Sequence, residues 1–375
     1  MDSRLCWIWL QQALGYGSQW AAPLLSAFTS PEGVFAADKA TLRGLGLPAG
    51  VVKRLCDKSM EQSRGILWRT ISDGDWILTP ADEAYPPLLR GIHSPPLVLY
   101  GRGLLPDFGR QPVIGVVGTR KITTYGQRVT DMLVGDLARE GALIVSGIAE
   151  GCDAAALNAA LDAGGLAVAV LPCGLDVNYP TITLSLRRRI VDNEGALLTE
   201  YPYGERVGKG TFHVRNRLIS GLCNGVCVTE APARSGSLIT ARYAREQGRD
   251  VFAVPGALTS PNSAGVHGLI KSGAKLVSSA EEMLEEYRPL FSHILEEEWE
   301  EATSTLKVAQ PPAALPEQAS PGAQAIYRLL EGTPRPVDEI AAEVGESMSV
   351  VLAALTELEL MGLVLSNAGQ QYSRS

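Results

Sequence analysis

Val113-Ile114-Gly115-Val116-Val117-Gly118-Thr119-Arg120-Lys121 is the stretch that decides the fold. An apolar run stops at a glycine, and a polar, cationic turn follows before the helix-like segment Tyr125–Glu140. A strand apolar on both faces that turns through glycine into a helix is the opening unit of a parallel sheet covered by helices. The unit recurs downstream. Strand-like runs at Ala142–Ser146, Leu166–Leu171, Ala196–Thr199, Gly225–Thr229 and Asp250–Val254 alternate with helix-like runs. Those helices are expected over Asp153–Ala163, Thr183–Asn193, Arg215–Leu222 and Ser237–Gln247. The alternation predicts an α/β domain with a doubly wound, mostly parallel sheet over residues 76–290.

The flanks lack this rhythm. Residues 1–75 read as short helices, with Leu5, Ile8 and Trp9 on one face and Leu24, Leu25 and Phe28 on another. Between two of them, Leu42-Arg43-Gly44-Leu45-Gly46-Leu47-Pro48 forms a tight turn. It suits a helix-hairpin-helix DNA module and a plain helix pair equally well in its glycine placement. A proline-rich lead-in follows, in which Leu97–Tyr100 reads as an edge strand. After the sheet, residues 291–320 have linker composition, acidic at Glu296-Glu297-Glu298 and then proline-rich. Residues 321–375 have the order of a winged helix: helices at Ala323–Leu330, Val337–Val344 and Val350–Met361, then a hairpin from Gly362–Leu365 and Gln371-Tyr372. Its third helix carries Glu357 and Glu359 where a DNA reader needs cations, which favours a protein-contacting or vestigial winged helix over a DNA-reading one.

Composition places the 375-residue chain among soluble proteins, with 46% hydrophobic and 20% charged residues. No apolar run reaches the ~18 residues of a membrane span. Its beginning, Met1-Asp2-Ser3-Arg4-Leu5, has no basic region ahead of an apolar core, so a cytoplasmic location is expected. Six scattered cysteines without a CxxC pair read as buried reduced thiols, and no metal site is expected. The net charge is −8, yet Arg110 to Ala280 holds 18 Lys and Arg against 14 Asp and Glu. A basic middle in an acidic chain attracts a polyanion locally.

The turn after the first strand is no dinucleotide fingerprint, since the G-x-G-x-x-G spacing and the following acid are missing, and no Walker motif occurs. No cofactor is expected. The turn does offer the Gly118 and Thr119 amides beside Arg120 and Lys121, a phosphate seat; taken alone, Arg120 could equally be a solvated loop cation. A second piece, Lys209-Gly210-Thr211-Phe212-His213-Val214-Arg215-Asn216-Arg217, reads as a loop with cations on both sides of an aromatic. A base can stack on Phe212 while Lys209, Arg215 and Arg217 meet phosphates; the other reading of Phe212 is a core anchor at a helix start. The third piece, Arg234-Ser235-Gly236-Ser237, opens a helix with no carboxylate in its first turn, either an anion seat or a simple serine cap. Glu200 and Glu230 end strands and invite a catalytic reading, but salt bridges to Arg215 or Arg217 are the expectation. The histidines support no nucleophilic triad. No catalysis is expected.

These motifs together resemble the DNA-processing protein A family (DprA, also called Smf). The resemblance rests on Val117-Gly118-Thr119-Arg120 with Tyr125-Gly126, Ser146-Gly147-Ile148-Ala149-Glu150-Gly151-Cys152-Asp153, and Gly174-Leu175-Asp176-Val177-Asn178-Tyr179-Pro180. It continues through Thr199-Glu200-Tyr201-Pro202, Arg215-Asn216-Arg217, Gly236–Ala241 and Val254-Pro255-Gly256. His213 stands where the family has proline, and Cys152 where it has an aliphatic residue. The resemblance implies an extended Rossmann-like fold and a homodimer formed through about Ser263–Tyr287. It further implies a protein that binds and protects single-stranded DNA and helps load the RecA recombinase during natural transformation. The expected DNA-contacting residues are Gly118, Thr119, Arg120, Lys121, Gly147, Lys209, Phe212, Arg215, Asn216, Arg217, Ser235, Gly236 and Ser237. The competing reading is a nucleotide phosphoribohydrolase on a related sheet; its P-G-G-x-G-T-x-x-E glutamate has no counterpart in Ala233–Thr240.

Overall fold

Short helices open the chain. In the computed structural model, which describes residues 3–208, 210–291, 319–330, 335–361, 363–367 and 371–374, they are α1 (Ser3–Leu14), α2 (Ala21–Phe28), α3 (Pro31–Ala36), α4 (Lys39–Gly44), α5 (Ala49–Leu55) and α6 (Glu61–Ser72). Ser30 accepts a hydrogen bond from the Gly33 amide and Asp38 from the Thr41 amide, so α3 and α4 start where side-chain acceptors meet free N–H groups. Between α4 and α5 the chain turns at Gly46, whose φ of 70° suits glycine.

The sheet strands are β1 (Trp76–Leu78), β2 (Leu99–Gly103), β3 (Val113–Val117), β4 (Leu143–Ser146), β5 (Ala167–Val170), β6 (Ala196–Thr199), β7 (Gly225–Val228), β8 (Asp250–Ala253) and β9 (Lys275–Leu276). Helices α7 (Pro87–Arg90), α8 (Thr124–Arg139), α9 (Cys152–Asp162), α10 (Leu184–Asp192), α11 (Thr211–Leu222), α12 (Ser237–Glu246), α13 (Ala264–Lys271) and α14 (Glu281–Leu284) connect or follow them. Among the described residues the strands form one sheet, in the order β1-β2-β6-β5-β4-β3-β7-β8-β9. From β6 to β9 every pairing is parallel, while β1 and β2 add an antiparallel margin. Leu97–Tyr100 was expected at the edge, but β2 lies between β1 and β6, with Tyr100 opposite both Ile77 and Thr199. Three residues, Trp76-Ile77-Leu78, form the true edge, too short a run to stand out by periodicity.

From β3 the chain moves through β4 and β5 to β6, then α11 returns it to β7 on the other side of β3. Strands β3 and β7 are therefore neighbours whose onward connections diverge, the switch point at which open α/β sheets place ligands. One sheet face packs Ile114, Val116 and Ile144 into the same core as Trp7, Ile8 and Leu10 of α1. The other face packs Val117, Val145 and Val228 against Leu218 and Leu222 of α11 and Ala241 and Ala244 of α12. The N-terminal helices thus share the core of the sheet, and residues up to Ile294 form one compact unit.

A buried ion pair reinforces that union. Arg217 Nη2 lies 2.5 Å from Glu200 Oε2, and Glu200 Oε1 accepts a hydrogen bond from the Gly17 amide at 3.2 Å. Gln11 of α1 adds Nε2 donations to the carbonyls of Val98 and Glu200. Burial pushes the Glu200 carboxyl above its usual range, and Arg217 pulls it back.

The second unit, Leu295–Ser375, contains α15 (Pro321–Leu329), β10 (Arg335–Pro336), α16 (Val337–Val344), α17 (Met348–Leu360), β11 (Val364–Asn367) and β12 (Gln371–Arg374). Its three-stranded sheet has the order β10-β12-β11, the architecture of a winged helix. Ile326, Ile340, Leu355 and Leu358 fill its core. Glu357 accepts from both the Ser320 amide and hydroxyl, anchoring the start of α15, while Glu359 is exposed. Most of the acidic, proline-rich segment 291–320, and Gly362 of the hairpin, lie outside the described residues.

Arg217→Met leaves a buried carboxylate without its partner and should lower the unfolding free energy by about 3–5 kcal/mol, read in urea denaturation. Combining it with Glu200→Gln should recover most of that loss; a single variant as stable as the parent would show that the pair does not brace the unit.

Candidate nucleic-acid interface

The turn after β3 is a rigid mount. Gly118 sits so close to Cys152 that an added Cβ would overlap its Sγ. The Thr119 amide donates to the Glu230 carbonyl at 2.7 Å, and the Thr119 carbonyl accepts from the Cys152 amide at 3.1 Å. The Thr119 amide expected to meet phosphate is thus turned inward, because the turn needs it to close against β7. The turn presents side chains instead, and Arg120 and Lys121 are exposed. Among the described residues neither has a carboxylate partner.

Strand-end acids hold this mount in place. Glu230 accepts from the Thr123 amide at 2.9 Å and the Thr123 hydroxyl at 2.7 Å, and Gly126 leaves room for its carboxylate. Thr123 in turn caps α8 through the Gly126 amide. Glu230 therefore pairs with a helix cap and not with an arginine, whereas Glu200 takes Arg217 as expected.

Helix α11 begins at Thr211, four residues earlier than its apolar pattern indicates. Gly210, at φ 100°, and a Thr211 hydroxyl bond to the Gly208 carbonyl turn the chain into it. Phe212 and His213 accordingly lie in a helical first turn and not in a loop. Phe212 is half-buried, with the Arg120 guanidinium 5.1 Å from its ring centroid and the Tyr179 ring edge-on at 6.0 Å. Both readings of this residue meet here: it is anchored, and it carries a cation on its ring.

Arg215 is only 4% exposed. Its Nη1 donates to the Val170 carbonyl at 3.0 Å, and Asp153 is the nearby acid that offsets the cost of burying it. Gly147 makes the space: an added Cβ would overlap Arg215 Nη1. Asn216 Nδ2 reaches the Gly236 carbonyl at 3.4 Å, tying α11 to the start of α12. Helix α12 has no acid in its first turn; the Ser235 hydroxyl accepts from the Ser237 amide at 3.3 Å, as a serine cap would, and bonds the Ser237 hydroxyl at 2.7 Å. The positive end of its dipole faces the same opening.

These groups converge on a cleft of about 320 Å³ at the carboxyl ends of β3 and β7. Gly118, Thr119, Arg120, Phe212, Arg215, Asn216, Ser235, Gly236 and Ser237 all line it. Lys121 stands beside it, Gly147 lies behind Arg215, and Arg217 is turned away into its pair with Glu200. Lys209 lies outside the described residues. The site-residue expectation missed Arg234, which lines the cleft from an exposed position directly before Ser235, and Asp153, the acid on its floor. A larger hollow of about 610 Å³ between α8 and α9 is lined by alanines and charges of both signs and gathers no such cation set.

Cys152, Cys173, Cys223 and Cys227 form no disulfide and are buried, as is Cys6. Burial pushes the Cys152 thiol up to about 11 and Cys227 up to about 12, which leaves them protonated and unreactive near neutrality. Among the described residues no group of His, Cys, Asp and Glu is placed to hold a metal ion, and no helix is long and apolar enough to cross a membrane.

Fold and site together define a Rossmann-like protein with a separate winged helix and, at its sheet switch point, a cleft lined by arginines and an aromatic ring. The chain belongs to the DNA recombination-mediator protein A family, whose model matches residues 76–288, and the DprA winged helix domain matches residues 310–370. It is 37% identical over 317 residues to protein Smf of Synechocystis, covering 79% of each chain. To the DNA processing protein DprA of Streptococcus pneumoniae it is 45% identical over 206 residues, 55% of this chain and 72% of the relative. The X-ray structure of that pneumococcal protein superposes with a TM-score of 0.65 at 34% identity, covering 74% of this chain and 95% of the other. DNA processing protein A from Helicobacter pylori, described for its single-stranded DNA binding mode, gives 0.52 at 30% identity, covering 57% and 95%.

Gly147→Ala should force the Arg215 guanidinium from its seat and lower the unfolding free energy by about 1–3 kcal/mol. Gly65→Ala, where nothing lies within 4 Å of an added Cβ in α6, should instead be neutral or stabilising in the same thermal melt.

Proposed function

We propose that this protein binds single-stranded DNA without sequence preference, protects it from nucleases, and helps load a RecA recombinase on it during recombination and natural transformation, with no covalent chemistry of its own. The observation that carries this reading is the Arg120 guanidinium held over the half-buried Phe212 ring at the mouth of the switch-point cleft. A cation for the backbone and an aromatic for a base, without a set of base-reading side chains, is what sequence-tolerant single-strand binding needs. The single-strand binding named for the Helicobacter relative supports it.

The proposed contacts are Gly118, Thr119, Arg120, Lys121, Lys209, Phe212, Arg215, Asn216, Ser235, Gly236 and Ser237, to which we add Arg234. Gly147 and Arg217 take supporting roles, one making room for Arg215 and the other bracing α11. The proposed homodimer would use Ser263–Tyr287, where β9 ends the sheet with one side unpaired and Leu276 is exposed. The phosphoribohydrolase reading has no observation in its favour, since Glu200 and Glu230 are both held in structural bonds.

Binding of a fluorescent oligothymidylate across a salt series tests the proposal. Arg120→Ala and Arg234→Ala should each weaken binding about tenfold and reduce the slope of log K against log salt by about 0.7. Parent-like affinity and slope in both variants would place the DNA elsewhere.

A further inference from the structure

We propose that a second nucleotide subsite adjoins the Phe212 cleft, built from Tyr125, Leu258 and Lys121, and that it takes an unstacked base of the same strand. This rests on the single-strand reading above. A hollow of about 400 Å³ opens beside the ends of β7 and β8, lined by Thr123, Tyr125, Glu230, Pro255, Gly256 and Ser260. On its rim Tyr125 is 47% exposed, and on the neighbouring loop Leu258 is 91% exposed. An exposed ring lining a hollow, with an exposed leucine on the loop that supplies Ala257 and Ser260 to the same hollow, suits a ligand with a flat apolar face.

The platform is rigid before anything binds. The Tyr125 hydroxyl donates to the Pro255 carbonyl at 2.5 Å, which fixes the ring, and Gly256 packs against the ring edge. The loop carrying Leu258 is braced by the Ala231 amide on the Asn262 carbonyl at 2.7 Å and by a His267 ring nitrogen 3.1 Å from the Gly256 carbonyl. A preformed stacking surface loses little freedom on binding.

Continuity with the main cleft identifies the occupant. Asn262 Nδ2 donates to the Lys121 carbonyl at 2.9 Å, so the loop is bonded to the turn that carries Arg120. The Thr119 amide, on the wall of the first cleft, is bonded to Glu230, on the wall of the second hollow. Lys121 is exposed on that same turn. Glu230 contributes a carboxylate to the hollow, which repels phosphate, so the base enters and its phosphate stays with Lys121.

The test uses the full chain and an oligothymidylate with 2-aminopurine, whose fluorescence is quenched by stacking, placed at successive positions. Tyr125→Leu and Leu258→Ser should each weaken binding about five- to thirtyfold and abolish quenching at one position that the parent quenches. Tyr125→Phe, which keeps the ring, should stay within about twofold of the parent. Leu258 is too exposed for its replacement to unfold the protein, so that variant keeps the test decisive if Tyr125→Leu misfolds. Parent-like binding and quenching in both variants, with Arg120→Ala weakened, would overturn the subsite and leave the single-strand reading standing. Parent-like binding by Arg120→Ala as well would overturn that reading itself. Loss of dimer mass in sedimentation by Leu258→Ser, with DNA binding unchanged, would assign the surface to a second copy of the chain and also overturn the subsite.

Discussion

Glu230 ties together three pieces of chain that must meet for the cleft to exist. Its carbonyl receives the Thr119 amide, which fixes the turn after β3, and its carboxylate receives both donors of Thr123, which fixes the start of α8. Gly126 has no side chain because that carboxylate lies against it. A buried acid with both oxygens hydrogen-bonded is stable in place, and removing its partners would leave a desolvated charge. Arg120 and Lys121 lie within this knot. Their positions over the switch point follow from it.

The same knot decides how an anion can be met. A loop that cradles phosphate with backbone amides needs those amides free, and here the Thr119 amide is bonded to the Glu230 carbonyl. In the proposed reading, recognition rests mainly on side chains and on the dipole of α12. The buried arginines do not add to the outward field in proportion to their number, because Asp153 accompanies Arg215 and Glu200 accompanies Arg217. Arg120, Lys121 and Arg234 remain as cations in solvent. Exposed cations around a half-buried aromatic suit a flexible polyanion whose bases vary along its length.

Much of the sheet was legible because its strands are apolar on both faces, and Val113–Val117 and Ala196–Thr199 fall where the runs of Val, Ile and Leu place them. Strand β1 was not, since three residues carry no period, and neither was the start of α11, set by Gly210 and the Thr211 bond ahead of the apolar pattern. The cleft was readable in its parts, as each motif ends a strand or opens a helix. Its inner division was less so. Arg215 and Arg217 were both assigned to DNA, yet two residues apart on a helix they project about 200° from each other and cannot serve one cleft. One lines it and the other meets Glu200 beneath the N-terminal helices. Gly17, which completes that second site, is far away in sequence and has no motif to announce it.

The strand-end acids also bear on the choice between binder and enzyme. Glu200 and Glu230, at the ends of β6 and β7, are the strand-end carboxylates that invite a catalytic reading. Such a group needs a lone pair or proton free to move and a path to substrate. Glu200 has one oxygen on Arg217 and the other on the Gly17 amide, at 2% exposure. Glu230 has both oxygens on Thr123. To act on a sugar, either would have to break the bonds that hold a helix start or a buried arginine, at a cost of several kcal/mol before any chemistry began. Positions that could have carried catalysis are tie points here, and what they hold in place is the row of cations and rings along the carboxyl edge of the sheet.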